Sequence, residues 1–153
     1  MIVTLKEYEN SGKIQAYDLV DKTSTDYKKI KSCCDYFASQ GSITLMTPKL
    51  HFKDPLYDLI YSDLIGTKYY RKCPDFKVNN IFYEHEGYIT DNPFNAFSNM
   101  VSRGIKQSPR IIIDVCGIGN VWAKKYLFDR IQNGDIISEV WILTNHGFLE
   151  RLY

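Results

Sequence analysis

Three carboxylates, Asp75, Glu84 and Glu86, lie within one short stretch of this chain, and the residues between them dictate how close they come. From Cys73 to Gly87 the sequence reads Cys-Pro-Asp-Phe-Lys-Val-Asn-Asn-Ile-Phe-Tyr-Glu-His-Glu-Gly, two alternating segments joined by Asn79-Asn80. Asn tolerates positive φ nearly as well as Gly, so an Asn-Asn pair between alternating hydrophobics predicts a two-residue hairpin turn. Counting outward sets Val78 opposite Ile81, Lys77 opposite Phe82, Phe76 opposite Tyr83 and Asp75 opposite Glu84. Strand side chains alternate, so Phe76, Val78, Ile81 and Tyr83 share an apolar face while Asp75, Glu84 and Glu86 gather on the other. Like charges across an antiparallel pair repel unless neutralised. A divalent cation does that, and hard oxygen ligands suit Mg²⁺ or Mn²⁺, which polarise a phosphate and activate water. The competing reading is a wet, acidic outer face balanced by Lys77. His85 falls on the face of Phe76 and Tyr83, where it is either a hydrogen-bonded core residue or the general base of a metal-free ribonuclease.

The elements that must hold this hairpin are legible in outline. Met1 to Leu5 reads as a short strand or ordered arm, and Tyr8 to Tyr17 carries little beyond an Asn-Ser-Gly turn signal. Tyr27, Ile30, Cys33 or Cys34 and Phe37 recur at helical spacing, with Ser24 or Thr25 as cap and Gly41 as stop. Ser42 to Met46 alternates as a strand that Thr47-Pro48 closes. Pro55 opens a short helix with Leu56, Leu59, Ile60 and Leu64 on one face, and Thr67 to Tyr70 can begin a strand. After the hairpin, Asp91-Asn92-Pro93 is a helix opening: a capping side chain, then Pro where its missing N–H costs nothing. Phe94, Phe97, Met100 or Val101 and Ile105 form its buried side. Asn95, Asn99, Ser102, Arg103 and Lys106 form a polar side ending in two cations, a placement the helix macrodipole alone favours. Arg110 to Val115 is an apolar run rich in β-branched residues, hence a buried central strand. Val121 to Gln132 is a helix ended by Asn133-Gly134, and Glu139 to Thr144 a further strand, so a right-handed crossover joins a parallel pair. The Cys-Gly-Ile-Gly-Asn loop before that helix is a turn without a nucleotide fingerprint.

With 153 residues the chain has the length of one domain: an arm over 1–23 and a core over 24–144. Nineteen Lys and Arg against eighteen Asp and Glu give a formal charge of +1, so any footprint for nucleic acid is local. Twelve tyrosines, clustered at Tyr57, Tyr61, Tyr69, Tyr70, Tyr83 and Tyr88, either cover a twisted sheet or stack bases. Cys33, Cys34, Cys73 and Cys116 lack zinc-ligand spacing and read as reduced thiols. Neither a secretory leader nor a membrane-spanning run is expected, which points to a cytoplasmic setting; a toxin domain delivered within a longer polypeptide would also lack its own leader. His51 and His146 carry no motif.

Pro74-Asp75 followed by Glu84-His85-Glu86 resembles the PD-(D/E)XK nuclease superfamily, with Glu86 where that family usually has Lys. The stretch Lys72 to Arg110 is similar to the tRNA-cleaving C-terminal toxin domains of contact-dependent growth inhibition proteins. The resemblance covers about the second half of the chain. It implies an α/β fold of the α+β kind, a three- to five-stranded mixed sheet flanked by helices with an α-β-β-β-α-β nuclease-like core; the alternation of elements independently implies only the mixed sheet flanked by helices. It further implies a metal-dependent endonuclease acting on RNA, with tRNA the favoured substrate and DNA the lesser alternative, in which Asp75, Glu84 and Glu86 are catalytic and Asp75 and Glu84 hold Mg²⁺ or Mn²⁺. Asn99, Arg103 and Lys106 would steady the substrate's phosphates, and an immunity or inhibitor protein is an expected partner. Without the usual Lys, a catalytically inactive binding module is the alternative. A third option is an interaction protein that uses its exposed tyrosines.

Overall fold

The structure is a computed structural model that describes residues 1–87, 92–144 and 146–153, apart from the side chain of Thr4. Tyr88 of the tyrosine cluster and Asp91 of the helix opening lie outside the described residues. The chain divides into two compact units, Met1–Tyr83 and Glu84–Tyr153. In chain order the elements include the expected helix, three strands, helix and strand, and both units combine a mixed sheet with helices.

The first unit contains β1 (Ile2–Glu7), β2 (Lys13–Tyr17), α1 (Tyr27–Ser39), β3 (Ile43–Met46), α2 (Pro55–Ile60), β4 (Phe76–Val78) and the opening residues of β5 (Ile81–Gly87). β1 pairs antiparallel with β2, β2 parallel with β3, and β3 and β4 each antiparallel with the next strand. The parallel pair requires a crossover, and α1 is that crossover. The hairpin register is the one the sequence predicts: Phe76 opposite Tyr83, Lys77 opposite Phe82, Val78 opposite Ile81. Asn79 and Asn80 both adopt left-handed conformations, φ 48° and 69°, as a type I′ turn demands.

Both faces of this hairpin are covered. On one side Phe37 of α1 packs with centroids 6.4 Å from Phe76 and 5.5 Å from Tyr83, which stack on each other. On the other, Phe82 stacks on Tyr61 at 5.4 Å, within a cluster that includes Tyr57, Ile60 and Leu64. Tyr57 and Tyr61 are fully buried and their hydroxyls donate to the Lys72 and Pro48 carbonyls, so these tyrosines build core.

Several local readings differ from the structure. The cap of α1 is Asp26, not Ser24 or Thr25, because the chain from Asp21 to Asp26 runs through turns and Tyr27 opens the helix. The buried face of the segment after Pro55 is Tyr57, Ile60, Tyr61 and Leu64. Leu59 points outward at 69% exposure because α2 turns Tyr57, Ile60 and Tyr61 inward and Leu59, two residues from either tyrosine, falls on the other side; after Ile60 the chain tightens into a 3-10 turn, Ser62–Leu64. Thr67 to Tyr70 forms turns and no strand. Residues 13–17 form β2, whose Ile14 and Ala16 are buried; only two apolar positions in that alternation gave a weak signal.

The second unit contains the rest of β5, α3 (Pro93–Gly104), β6 (Arg110–Asp114), α4 (Asn120–Gln132), β7 (Glu139–Leu143) and β8 (Leu149–Arg151), the last not foreseen. β6 lies between β5 and β7, parallel to both, and β8 adds antiparallel to β7. Ile111, Ile112 and Ile113 are completely buried, as the run predicted. Asn92 caps α3 by accepting from the Asn95 N–H at 3.2 Å. The buried side of α3 is Ala96, Phe97, Met100, Val101 and Gly104, and Phe94 is exposed. α3 and α4 are also laced through polar groups: Ser98 to Tyr126 at 2.8 Å, and Arg130 to Ser102 at 2.6 Å and to Tyr126 at 2.9 Å. The i, i+4 spacing of both pairs puts each on one helix face. Among the described residues no helix is long and apolar enough to cross a membrane.

Gly12 is required by a close approach: a Cβ there would sit 1.8 Å from the Ala38 carbonyl oxygen at the end of α1. Gly12→Ala is expected to destabilise the fold by at least about 3 kcal/mol in a urea titration, because backbone rather than a mobile side chain must yield. Burial also raises the pKa of the Tyr61 hydroxyl and pushes the Cys34 thiol from 9.0 up to about 12. A folded-state pKa above the unfolded value stabilises fully below the unfolded pKa and is lost as pH rises through the folded one. Stability is therefore expected to fall from about pH 9 upward, with tyrosinate absorbance at 295 nm developing partly in step with unfolding.

Candidate functional site

In the first unit, Asp75 is placed by backbone pairing with β3. The register sets Met46 opposite Phe76, so the next residues, Thr47 and Asp75, meet: the Thr47 N–H donates to the Asp75 carbonyl at 3.1 Å. Thr47 Oγ1 donates to the Pro74 carbonyl at 2.6 Å, and the Asp75 N–H donates to Tyr83 at 3.0 Å. The chain after Thr47 is thus held along Pro74-Asp75, and Lys49 Nζ reaches both Asp75 Oδ1 and the Cys73 carbonyl at 2.7 Å. The Asp75 carboxylate is buried, 5% exposed, while the Lys49 side chain is 65% exposed. A buried carboxylate demands compensation by charge or hydrogen bonds, and a charge-assisted contact at this length supplies it.

Beside this pair a cavity of about 340 Å³ opens, lined among others by Asp21, Asp26, Tyr27, Met46, Lys49 and Asp75. It lies within one unit and falls in the usual size range of small-ligand pockets.

In the second unit, β5 presents Glu84, His85, Glu86 and Gly87 beside Ile111, Ile112, Ile113 and Asp114 of β6. Glu84 is buried at 5% exposure and His85 at 8%. The wet acidic strand face therefore does not describe Asp75 or Glu84. Glu86 Oε2 lies 3.3 Å from Arg103 Nε, and a Cβ on Gly104 would come within 3.3 Å of Glu86 Cγ. Asn99 and Arg103 are exposed on α3; Lys106 is exposed just past the helix, its N–H bonded to the Arg103 carbonyl at 3.2 Å. His85 Nε2 stands 3.8 Å from Asp114 Oδ2, beyond hydrogen-bond length. Gly87 permits that approach, since a Cβ there would sit 2.8 Å from Asp114 Cβ.

Two residues of these arrangements, Lys49 and Asp114, went unnoticed in the sequence. Lys49 becomes visible once the strand before Thr47 is assumed to pair antiparallel with the one after Asp75. Asp114 ends an apolar run, and only the parallel register of β5 and β6 brings it near His85. Among the described residues no group of three or more His, Cys, Asp or Glu side chains is placed to hold a metal ion.

The fold defines a class, an α+β protein with mixed sheets flanked by helices. No protein-family profile matches the chain and no curated protein matches it. Among solved structures, a chain of the CdiA-CT/CdiI toxin and immunity complex from Burkholderia pseudomallei is similar over 88% of this chain and 90% of that one, at 17% identity and a TM-score of 0.49. That degree of likeness assigns no activity.

Replacing Lys49 by Met leaves a buried carboxylate without its ammonium. A loss of about 1–3 kcal/mol is expected in chemical denaturation, reduced by the exposure of Lys49. Lys13→Met, which breaks only the exposed pair with Glu7 at 3.5 Å, should change stability by less than about 0.5 kcal/mol.

Proposed function

We propose that this protein is a toxin-like endonuclease that cleaves phosphodiester bonds of RNA, with tRNA as the favoured substrate. The observation that carries the reading is Asp75: a buried carboxylate, ion-paired to an exposed lysine, on the wall of a ligand-sized cavity. Active sites combine concave shape, charge and burial in this manner. The Asn79-Asn80 hairpin, whose register over Phe76–Val78 and Ile81–Tyr83 is the one the sequence predicts, supports the motif reading of Pro74-Asp75 and Glu84-His85-Glu86.

In this mechanism Asp75 and Glu84 are the acids proposed for Mg²⁺ or Mn²⁺, and a bound cation would polarise the phosphate and supply a hydroxide-like water. In this reading Lys49 would supply the positive charge that offsets negative charge developing on the phosphate oxygens, a task the sequence pattern leaves open by setting Glu86 at the usual Lys position. Glu86 holds Arg103 through their ion pair, which orients the guanidinium on the exposed side of α3. Asn99, Arg103 and Lys106 are the proposed contacts to the RNA backbone. An immunity protein that blocks the site is a proposed partner. The engagement of Glu86 by Arg103 also favours a second reading, an inactive nuclease-like binding module, and the same experiment separates the two.

Incubation of the purified protein with total tRNA and Mg²⁺ or Mn²⁺ is expected to give cleavage that EDTA abolishes. Asp75→Asn and Glu84→Gln should each lower the rate by at least about a hundredfold, with Lys49→Met next in severity and His85→Ala nearly silent. Cleavage that persists in EDTA and disappears in His85→Ala would move the chemistry to His85. Intact RNA under every metal, from a protein with a native circular dichroism spectrum, would support the binding module instead.

A further inference from the structure

Two short segments of the first unit, residues 49–53 and 68–72, read Lys-Leu-His-Phe-Lys and Lys-Tyr-Tyr-Arg-Lys. Both interleave cations with aromatic rings, and neither contains an Asp or Glu. Together they hold five of the nineteen Lys and Arg of a chain whose formal charge is +1, so the remainder is net negative and positive charge is concentrated here. The structure lays the two segments side by side. The Leu50 N–H donates to the Cys73 sulfur at 3.5 Å and the Cys73 thiol donates to the Leu50 carbonyl at 3.2 Å, while the Tyr57 hydroxyl of α2 donates to the Lys72 carbonyl at 2.6 Å. Across this seam the Arg71 guanidinium lies over the Phe52 ring at 4.5 Å, and the His51 ring stacks on Phe52 with centroids 4.5 Å apart. His51 is held in that attitude because its Nδ1 accepts from the Lys53 N–H at 3.1 Å. Phe52 is half-buried against the tyrosine core, whereas His51 and Arg71 are exposed. Two planar groups, an imidazole and a guanidinium, are thus seated on one ring at the surface. Arg71 sits there at φ 74°, a left-handed conformation that favours glycine, so the backbone accepts strain to carry a long cationic side chain at this point.

The charge around this shelf is not spent on ion pairs. Lys53 and Lys68 are exposed and Lys72 is half-buried, and among the described residues none of the three, nor Arg71, is paired with an acid. The acids between the two segments are engaged elsewhere: Asp54 accepts from the Leu56 N–H at 2.9 Å, Asp58 from the Tyr70 hydroxyl at 2.9 Å, and Asp63 pairs with Lys77 at 3.0 Å. Lysines alone attract any polyanion. Planar groups among them select a polyanion that also offers flat faces, and an unpaired nucleic-acid strand does so, because its bases stack on guanidinium and aromatic planes while its phosphates accept from Lys and Arg. We propose that segments 49–53 and 68–72 form a binding surface for single-stranded RNA, in which Lys53, Lys68 and Lys72 neutralise backbone phosphates and the His51 and Arg71 planes stack unpaired bases. The surface deepens the RNA-cleaving reading and rests on it for its biological role. Lys49, at the head of the first segment, bonds both the Cys73 carbonyl and Asp75 at 2.7 Å, so the shelf adjoins the proposed catalytic acid.

Binding of a strand that cannot be cut keeps this claim apart from catalysis. Fluorescence anisotropy of the full chain with a labelled, 2′-O-methylated, unstructured oligonucleotide of about twelve nucleotides, in EDTA, is expected to show saturable binding. The logarithm of the binding constant should fall against the logarithm of salt with a slope of about −2, as three phosphate contacts on a single strand require. The triple variant Lys53→Gln, Lys68→Gln, Lys72→Gln should flatten that slope and weaken binding at least about tenfold at low salt. Arg71→Lys keeps the charge and removes the plane, so it should weaken binding at least about fivefold with the slope unchanged, and His51→Ala should do likewise. No binding at about 0.05 M salt, an affinity untouched by the triple variant, or one untouched by both Arg71→Lys and His51→Ala would overturn the surface. Binding of polyglutamate as tight as that of the oligonucleotide would assign the patch to an acidic protein and overturn it as well. Cleavage of tRNA without strand binding would defeat this inference and leave the nuclease reading standing; strand binding with intact tRNA would do the reverse.

Discussion

The placement of Asp75 depends on one tight reversal of the chain. Asn79 and Asn80 both take left-handed φ, which costs most residues about 1–2 kcal/mol and Asn less. Asn79 is also tied sideways: its N–H donates to the Ile43 carbonyl at 2.8 Å, and its Oδ1 accepts from the Ile43 N–H at 2.9 Å. The turn therefore fixes two registers together, β4 on β5 and β4 on β3. A slip of one residue in either would move Phe76 and Val78 off the core side and turn the Asp75 carboxylate away from the segment that carries Lys49. The aromatic stacking of Phe76 on Tyr83 and of Phe82 on Tyr61, on opposite faces, opposes such a slip from both sides.

How much of this was legible depends on whether the signal was local. The hairpin register, α1, α3, α4 and the buried β6 were readable because each rests on a short-range rule: a turn dipeptide, a 3.6-residue period, a proline after a cap, an unbroken β-branched run. β2 and β8 were not, since neither strand has more than a few apolar positions of its own, although each pairs with a strand close by in sequence, β1 and β7. The face of α2 was misread because helical spacing fits two stripes, one through Leu56, Leu59 and Ile60 and one through Tyr57, Ile60 and Tyr61, and a period alone does not say that the tyrosines are the buried ones. Phe94 shows the same weakness in α3, where the apolar side is filled by Ala96 and Gly104, residues too small to stand out.

The site divides along the same line. Asp75 and Glu84 are singled out by motif and alternation, but their burial is not foreseen, because what covers them is distant in sequence. Lys49 is separated from Asp75 by the whole α2 segment and meets it only because β3 returns antiparallel beside β4. The cavity next to the pair is assembled from the loop before α1 and the end of β3, neither of which carries a motif.

Burial changes what these acids can be. On a solvated strand face a carboxylate is cheap and its pairing worth little, so sequence alone left a surface patch as a serious rival. Placed at 5% exposure, the Asp75 carboxylate is costly unless neutralised, and natural chains rarely keep such a group where an apolar residue would fill the space. The neutralising Lys49 is itself mostly exposed and lines the cavity, so the ion pair faces outward from a buried base. Asp75 is fixed by backbone pairing at the base, while the exposed Lys49 side chain keeps the freedom that a surface ammonium has, so the two ends of one ion pair differ in mobility.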